Sequence, residues 1–244
     1  MRKTFYILFS ALIFLIASEG YSQNAAFKNL FRGFSLNVSM NYVSSATILL
    51  NTNSSDIFER NATVQLKGGY GYGATLKKKL FEDIYIGIST EYLKITDNEL
   101  STVLESENDF VRARVTETVE VMPVELSAYF NIPRFVDNLD IYLGGGFGFY
   151  FGKRTERMLS MDTRTISNDP LFSLNVIFGL EYYIDKNFSI NAEMKVRDGK
   201  FKIHNQYPTN SFTYQNQTYY FDRDLYSKVY VDGLKMSIGA SYYF

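Results

Sequence analysis

A chain of 244 residues is within the range of one all-β domain. Its 25 basic and 26 acidic residues nearly cancel, which argues against a nucleic-acid partner, and the absence of cysteine excludes disulfides, thiolate metal sites and a lipid-modified cysteine. The 20 tyrosines and 21 phenylalanines, in a chain of slightly polar mean hydropathy, suit a barrel with one apolar face better than a bundle of membrane helices.

The first element is an export signal. Arg2 and Lys3 precede an apolar run from Phe5 to Ala17, and the small residues around Gly20 and Ser22 place a cleavage before Gln23. That run is shorter than the roughly 20 residues of a spanning helix. The expected organisation is a cleaved signal over 1–22, a lead-in over 23–32 and a barrel over 33–244. Phe27, Leu30, Phe31 and Phe34 recur at helical spacing, which allows a short interfacial helix in the lead-in.

Period-two alternation then runs through eight segments. The first is Phe34 to Tyr42, followed by Val64 to Leu76 and Ile84 to Tyr92. The fourth, Val124 to Ile132, follows Val119 and Val121, so the apolar parity flips around Pro123. One extra residue in a β-bulge accounts for such a flip. Leu139 to Phe151, Phe172 to Tyr182 and Phe188 to Val196 come next. The last is Leu234 to Phe244, where Gly233 marks a second candidate bulge after Val229 and Val231. Connections alternate in length. The short ones are Phe81–Asp83, Pro133–Asn138 and Asp185–Asn187; the long ones are Ser44–Asn61, Thr96–Asp109, Lys153–Pro170 and Asp198–Tyr226. Short turns on one side and long loops on the other are the outer-membrane arrangement.

Alternation alone does not separate inside from outside, and a soluble lipocalin-like barrel shares it. Here the polar face is rich in glycine and charge, a poor soluble core, while aromatics cluster near the strand ends of the apolar face. The expected fold is therefore an all-β, transmembrane, antiparallel up-and-down barrel of eight strands. Its lumen is about filled by side chains. The inward set places Lys67, Lys77, Lys195, Arg197 and Lys235 against Glu91, Glu125, Asp140, Glu181 and Glu193, a charge plug. Inward glycines such as Gly144, Gly146 and Gly148 make room for Tyr85, Tyr129 or Tyr142; they lack the strand-to-helix junction of a nucleotide loop.

The signal peptide, the glycine–aromatic strand Tyr142 to Phe151 and the ending Ser237-Ile238-Gly239-Ala240-Ser241-Tyr242-Tyr243-Phe244 resemble the outer-membrane-protein β-barrel families. Relatives of the outer membrane protein A transmembrane domain and of outer membrane protein W belong there. The resemblance implies residence in the outer membrane of a Gram-negative-type bacterium, with outer-membrane lipids around it. It also implies that Tyr242 and Phe244 form the assembly signal read by the barrel-assembly machinery. No periplasmic domain is expected after the barrel. The expected role is non-enzymatic, structural or partner-binding through the long outer loops, with the loop partner unidentified and no cofactor or metal. An outer membrane protein W-like barrel for small apolar ligands is the first alternative. A lipid A-modifying enzyme is the second, but the single histidine, His204, has Gln206 where the deacylase pattern places serine, and no catalytic set assembles around it.

Overall fold

The computed structural model describes residues 32–106, 110–159, 161–214 and 217–244; the signal peptide and nearly all of the lead-in lie outside them. In chain order the strands are β1 (Phe34–Leu49), β2 (Thr63–Lys79), β3 (Ile84–Glu105), β4 (Phe110–Val136), β5 (Leu139–Met158), β6 (Met161–Asp162) and β7 (Arg164–Pro170). They continue as β8 (Phe172–Tyr183), β9 (Phe188–Arg197), β10 (Gly199–Gln206), β11 (Ser211–Tyr214), β12 (Gln217–Tyr220), β13 (Asp224–Val231) and β14 (Lys235–Tyr243). A single helical turn, α1 (Ile57–Arg60), follows β1 and is capped by the Asp56 side chain, which accepts from the Phe58 amide.

Eight of these strands close a ring. Antiparallel pairs run β1–β2–β3–β4–β5–β8–β9–β14, and β14 returns to β1 with Lys235 opposite Val43 and Tyr243 opposite Ser35. Closure pairs the edges that an open sheet would expose. Three tight turns join strands at one end. Leu80 donates to the Ile84 carbonyl; Asn138, at φ 63°, makes the two-residue turn between β4 and β5; the Asp185 carboxylate accepts the Asn187 and Phe188 amides.

On the ring, the side chains turned outward are apolar and exposed: Met40, Ile86, Leu126, Leu143, Val176 and Ile238 among them. Aromatics gather at both borders of this band. Tyr42–Tyr70 and Tyr72–Tyr92 pair at the outer border, and Tyr242–Phe244 pair at the turn end. No helix among the described residues is long and apolar enough to cross a membrane.

The wall does not stop at the outer border. β4 has 27 residues, far more than the ~9–11 that cross a bilayer. Most of what alternation marks as long loops is strand. β7, β10 and β13 prolong β8, β9 and β14 beyond short breaks, and β13 pairs with β1 there as β14 does below. Facing water instead of lipid, this outer wall reverses the rule of the membrane band. Lys94, Thr96, Lys153 and Lys202 point out, while Ile48, Leu93, Val119, Val121, Phe201 and Val229 are buried inside.

That reversal corrects the expected bulge at Pro123. β4 pairs with β5 in unbroken register from Val115–Met158 through Pro123–Tyr150 to Ile132–Ile141, and Val119, Val121, Glu125, Ser127 and Tyr129 all face inward. The apolar parity flips because the solvent outside changes, not because a residue is inserted. A true irregularity lies by Gly233: five residues of β1, Val43 to Thr47, are matched by six, Lys235 to Tyr230. Beside it, β1 and β2 change face together at Ser44 and Gly68, where a Cβ on Gly68 would collide with the Val43 carbonyl oxygen.

Candidate functional site

The inward side chains form successive layers along the barrel axis. Nearest the turns are tyrosines and acids. Asn131 donates to Asp140 at 3.1 Å, Ser189 to Glu181 at 2.5 Å, and Tyr183 and Tyr243 join hydroxyls at 3.2 Å. Next, the Lys77 ammonium lies over the rings of Tyr129 (4.6 Å) and Tyr142 (4.5 Å), and Tyr142 donates to half-buried Glu193 at 3.2 Å. The Tyr142 ring occupies the place that a Cβ on Gly179 would take, the space that an inward glycine provides.

The charge layer follows. Glu91 pairs with Arg197 and, at 2.6 Å, with Lys235; Glu125 pairs with Lys195 at 2.6 Å and accepts from Tyr150 at 2.5 Å. All are nearly solvent-free, and Nε and Nη2 of Arg197 have no hydrogen-bond partner among the described residues. Nine of the ten residues expected in the plug thus face the lumen. Lys67 does not. It lies beyond the change of face at Gly68, so its side chain is 65% exposed on the outer wall and pairs with Glu99 at 2.6 Å. Directly above the charge layer, Val43, Ile48, Leu66, Leu93, Val119 and Phe201 converge in one apolar cluster with residues of β13.

Above that cluster is a group that the sequence pattern did not single out. Asp97, Glu117 and Glu156 stand side by side on β3, β4 and β5, in register across the strands. Arg154, 1% exposed, donates to both oxygens of Glu117 (3.1 and 2.5 Å), to Glu156 and to the Ser227 hydroxyl. Tyr207, at the end of β10, donates to Glu156 at 2.7 Å. Burial pushes the Glu117 carboxyl up from 4.5 to about 7, even though Arg154 beside it pulls the other way. Burial also works against charge on Arg154, but Glu117 and Glu156 outweigh it and keep the guanidinium protonated. The signal that would have found this group is parity carried past the membrane band. Inward positions continue every second residue through Asp97 on β3, Glu117 on β4 and Arg154 and Glu156 on β5.

Arg154, Glu156 and Tyr207 of this group line the floor of an open cavity of about 640 Å³ at the outer end, with Glu117 buried behind them. Its walls include Leu50, Leu104, Met158, Tyr220, Phe221 and Leu225, and Glu59 and Asp222 stand at the rim. A second cavity, about 420 Å³, opens at the turn end beside Tyr85, Asp140 and Phe244. There the Phe244 amide donates to the Phe34 carbonyl at 3.0 Å, tying the chain end to the first strand. His204 lies on the outer wall, stacked on Tyr226 at 4.1 Å, with Nε2 2.7 Å from Asp224. That hydrogen bond holds the Asp224 carboxyl below its usual range.

A closed antiparallel ring with an apolar exterior, aromatic borders and a charged interior defines an outer-membrane β-barrel protein. The chain belongs to the outer membrane protein beta-barrel domain family, whose model matches residues 9–244. Among solved structures it is similar to the outer membrane protein OprG of Pseudomonas aeruginosa, with TM-score 0.56, 13% identity, and 87% of this chain and 96% of that one covered. Neisserial surface protein A is matched at TM-score 0.46 and 10% identity, over 87% of this chain and 97% of that one. The outer membrane protease OmpT of Escherichia coli is matched at TM-score 0.45 and 9% identity, over 86% and 96%. These likenesses are of fold. No curated protein matches the chain in sequence. Its place is the outer membrane of Gram-negative bacteria.

Proposed function

We propose that this protein is a non-conducting, non-enzymatic barrel that carries a rigid β-structured head above the membrane, where it binds a partner. One observation supports this above the rest: across the lumen, a paired-charge layer is backed directly by an apolar cluster, and the wall then continues outward as a packed head. An eight-stranded ring leaves no open water channel once side chains fill it. Against an enzyme, the His204–Asp224 pair is stacked on Tyr226 and has no nucleophile hydrogen-bonded to it among the described residues.

The removable part of the head is the β11–β12 hairpin within 208–222, because β10 and β13 are wall. The test is purified protein in planar bilayers, together with capture of envelope partners by the wild type and by a chain lacking 208–222. The expected result is no steady conductance, and a partner retained by the wild type and lost by the deletion. Steady conductance by the wild type would favour passage of a small ligand instead. A full set of partners on the deletion would remove the head from recognition.

A further inference from the structure

The outer cavity combines two features. Its walls are apolar and aromatic, from Leu104, Met158, Tyr220, Phe221 and Leu225, yet its floor presents Glu156 and Arg154, and Arg154 is shared with Glu117 buried behind it. Three inward carboxylates, Asp97, Glu117 and Glu156, stand in one row, and Arg154 is the one cation ion-paired with Glu117 and Glu156 among the described residues. Asp97 is held instead by backbone amides, 2.9 Å from the Glu99 nitrogen and 3.5 Å from that of Lys67. Asn205, buried beside Arg154, donates to the Arg154 carbonyl, and its own Oδ1 has no donor among the described residues. Glu59 and Asp222 extend the same sign to the rim.

A buried negative charge without a counterion is costly, so the floor favours a proton or a cation. No group of three or more metal-ligating side chains is placed to hold a metal ion among the described residues. The apolar walls and the faces of Tyr207, Tyr220 and Phe221 suit a cation with a greasy body, since aromatic faces attract ammonium groups. The volume lies within the range of pockets that take small molecules.

We propose that the outer cavity is a binding site for small organic cations bearing an apolar group, with the ammonium over the Glu156–Tyr207 floor and the alkyl or aryl body against Leu104, Met158, Phe221 and Leu225. The site goes beyond the partner-binding reading and stands whether or not a protein docks on the head. Proton and ligand compete to neutralise the same charge. The groups facing Glu117 are Asp97 from β3, Arg154 and Glu156 from β5, Tyr207 after β10, and Ser227 of β13. Arg154 stays charged throughout, so it is Glu117 that sets the balance.

The test uses the full barrel in phosphatidylcholine nanodiscs and isothermal titration with phenethylammonium, 2-phenylethanol and 3-phenylpropionate, which share an aromatic body and differ in charge. The ammonium binds, the alcohol binds more weakly and the carboxylate does not bind. Ammonium affinity rises about tenfold from pH 6 to pH 8, the ratio of ionised fractions for a carboxyl titrating near neutrality. Glu117→Gln removes that rise, and Leu104→Trp, which fills the cavity and leaves the acids in place, removes binding. Equal binding of the three probes, preference for the carboxylate, or unchanged ammonium affinity in Leu104→Trp overturns the site. If Glu117→Gln fails to fold, the wild-type pH series and Leu104→Trp decide the matter, and a flat series overturns the proton competition.

Discussion

Replacing Glu91 by glutamine removes one carboxylate that serves two buried cations. Arg197 and Lys235 both ion-pair with Glu91, whose side chain is 5% exposed. Removing one partner of a buried pair costs about 3–5 kcal/mol, because the other charge remains in a poor solvent. Two cations are stranded here, and Arg197 already has two donors unpartnered among the described residues, so the loss belongs in the upper half of that range, about 4–5 kcal/mol. Replacing Lys235 by methionine in the same chain removes one stranded charge and returns about 2 kcal/mol. Glu91→Gln, Lys235→Met and the double variant form a cycle, measured by urea unfolding in phosphocholine micelles and followed by circular dichroism. A loss below about 1 kcal/mol for Glu91→Gln would mean that lumenal water solvates these cations, and the account of the charge layer would fail.

Ile86→Arg and Leu143→Arg, both turned outward on the membrane band, should each cost about 2–4 kcal/mol near the bilayer midplane, while Thr96→Arg on the outer wall stays within about 0.5 kcal/mol; reversed costs in unfolding titrations would invert the membrane level. Glu117 gives the head a pH dependence. Its folded carboxyl titrates at about 7 against 4.5 for the free group, so its stabilising contribution is complete below 4.5 and is lost as pH rises through about 7. The loss is about 3 kcal/mol, and Glu117→Gln should flatten it in hydrogen exchange of the β4 and β5 amides; an unchanged slope would refute the assignment. Deleting Phe244, which ties the chain end to Phe34, should lower insertion yield more than His204→Ala does, and an unaltered yield would discard Tyr242 and Phe244 as the assembly signal.

The membrane strands were legible because lipid enforces strict alternation: Ile84, Ile86 and Ile88 against Tyr85, Gly87 and Ser89 admit one arrangement. The outer strands were not, because their apolar residues point inward. Val119 and Val121 therefore look out of step with Val124 and Leu126, although all four lie on one straight strand. Lys67 was placed in the lumen by carrying the parity of Tyr70 and Tyr72 across Gly68, where the backbone changes face. Asn51 to Asp56 read as a loop and are one, but Asp198 to Tyr226 carries enough polar residues to read as a loop while its ends build wall. The floor of the outer cavity is hidden in the sequence because Arg154, in a charged run with Lys153, Glu156 and Arg157, looks solvated until the inward positions of β5 are counted through to it.

The change of exterior polarity along β4 also fixes how deep the barrel sits. Below the outer border the barrel is greasy outside and charged within; above it Lys94, Glu120 and Lys153, opposite one another across β3, β4 and β5, form a charged collar on the exterior. Sinking that collar into hydrocarbon would cost about 2–4 kcal/mol for each lysine at the midplane, and lifting the band below it would expose its isoleucines and phenylalanines to water. The molecule behaves as a rivet. Its depth is set by the meeting of collar and apolar band, and moving it either way carries one of them into the wrong solvent.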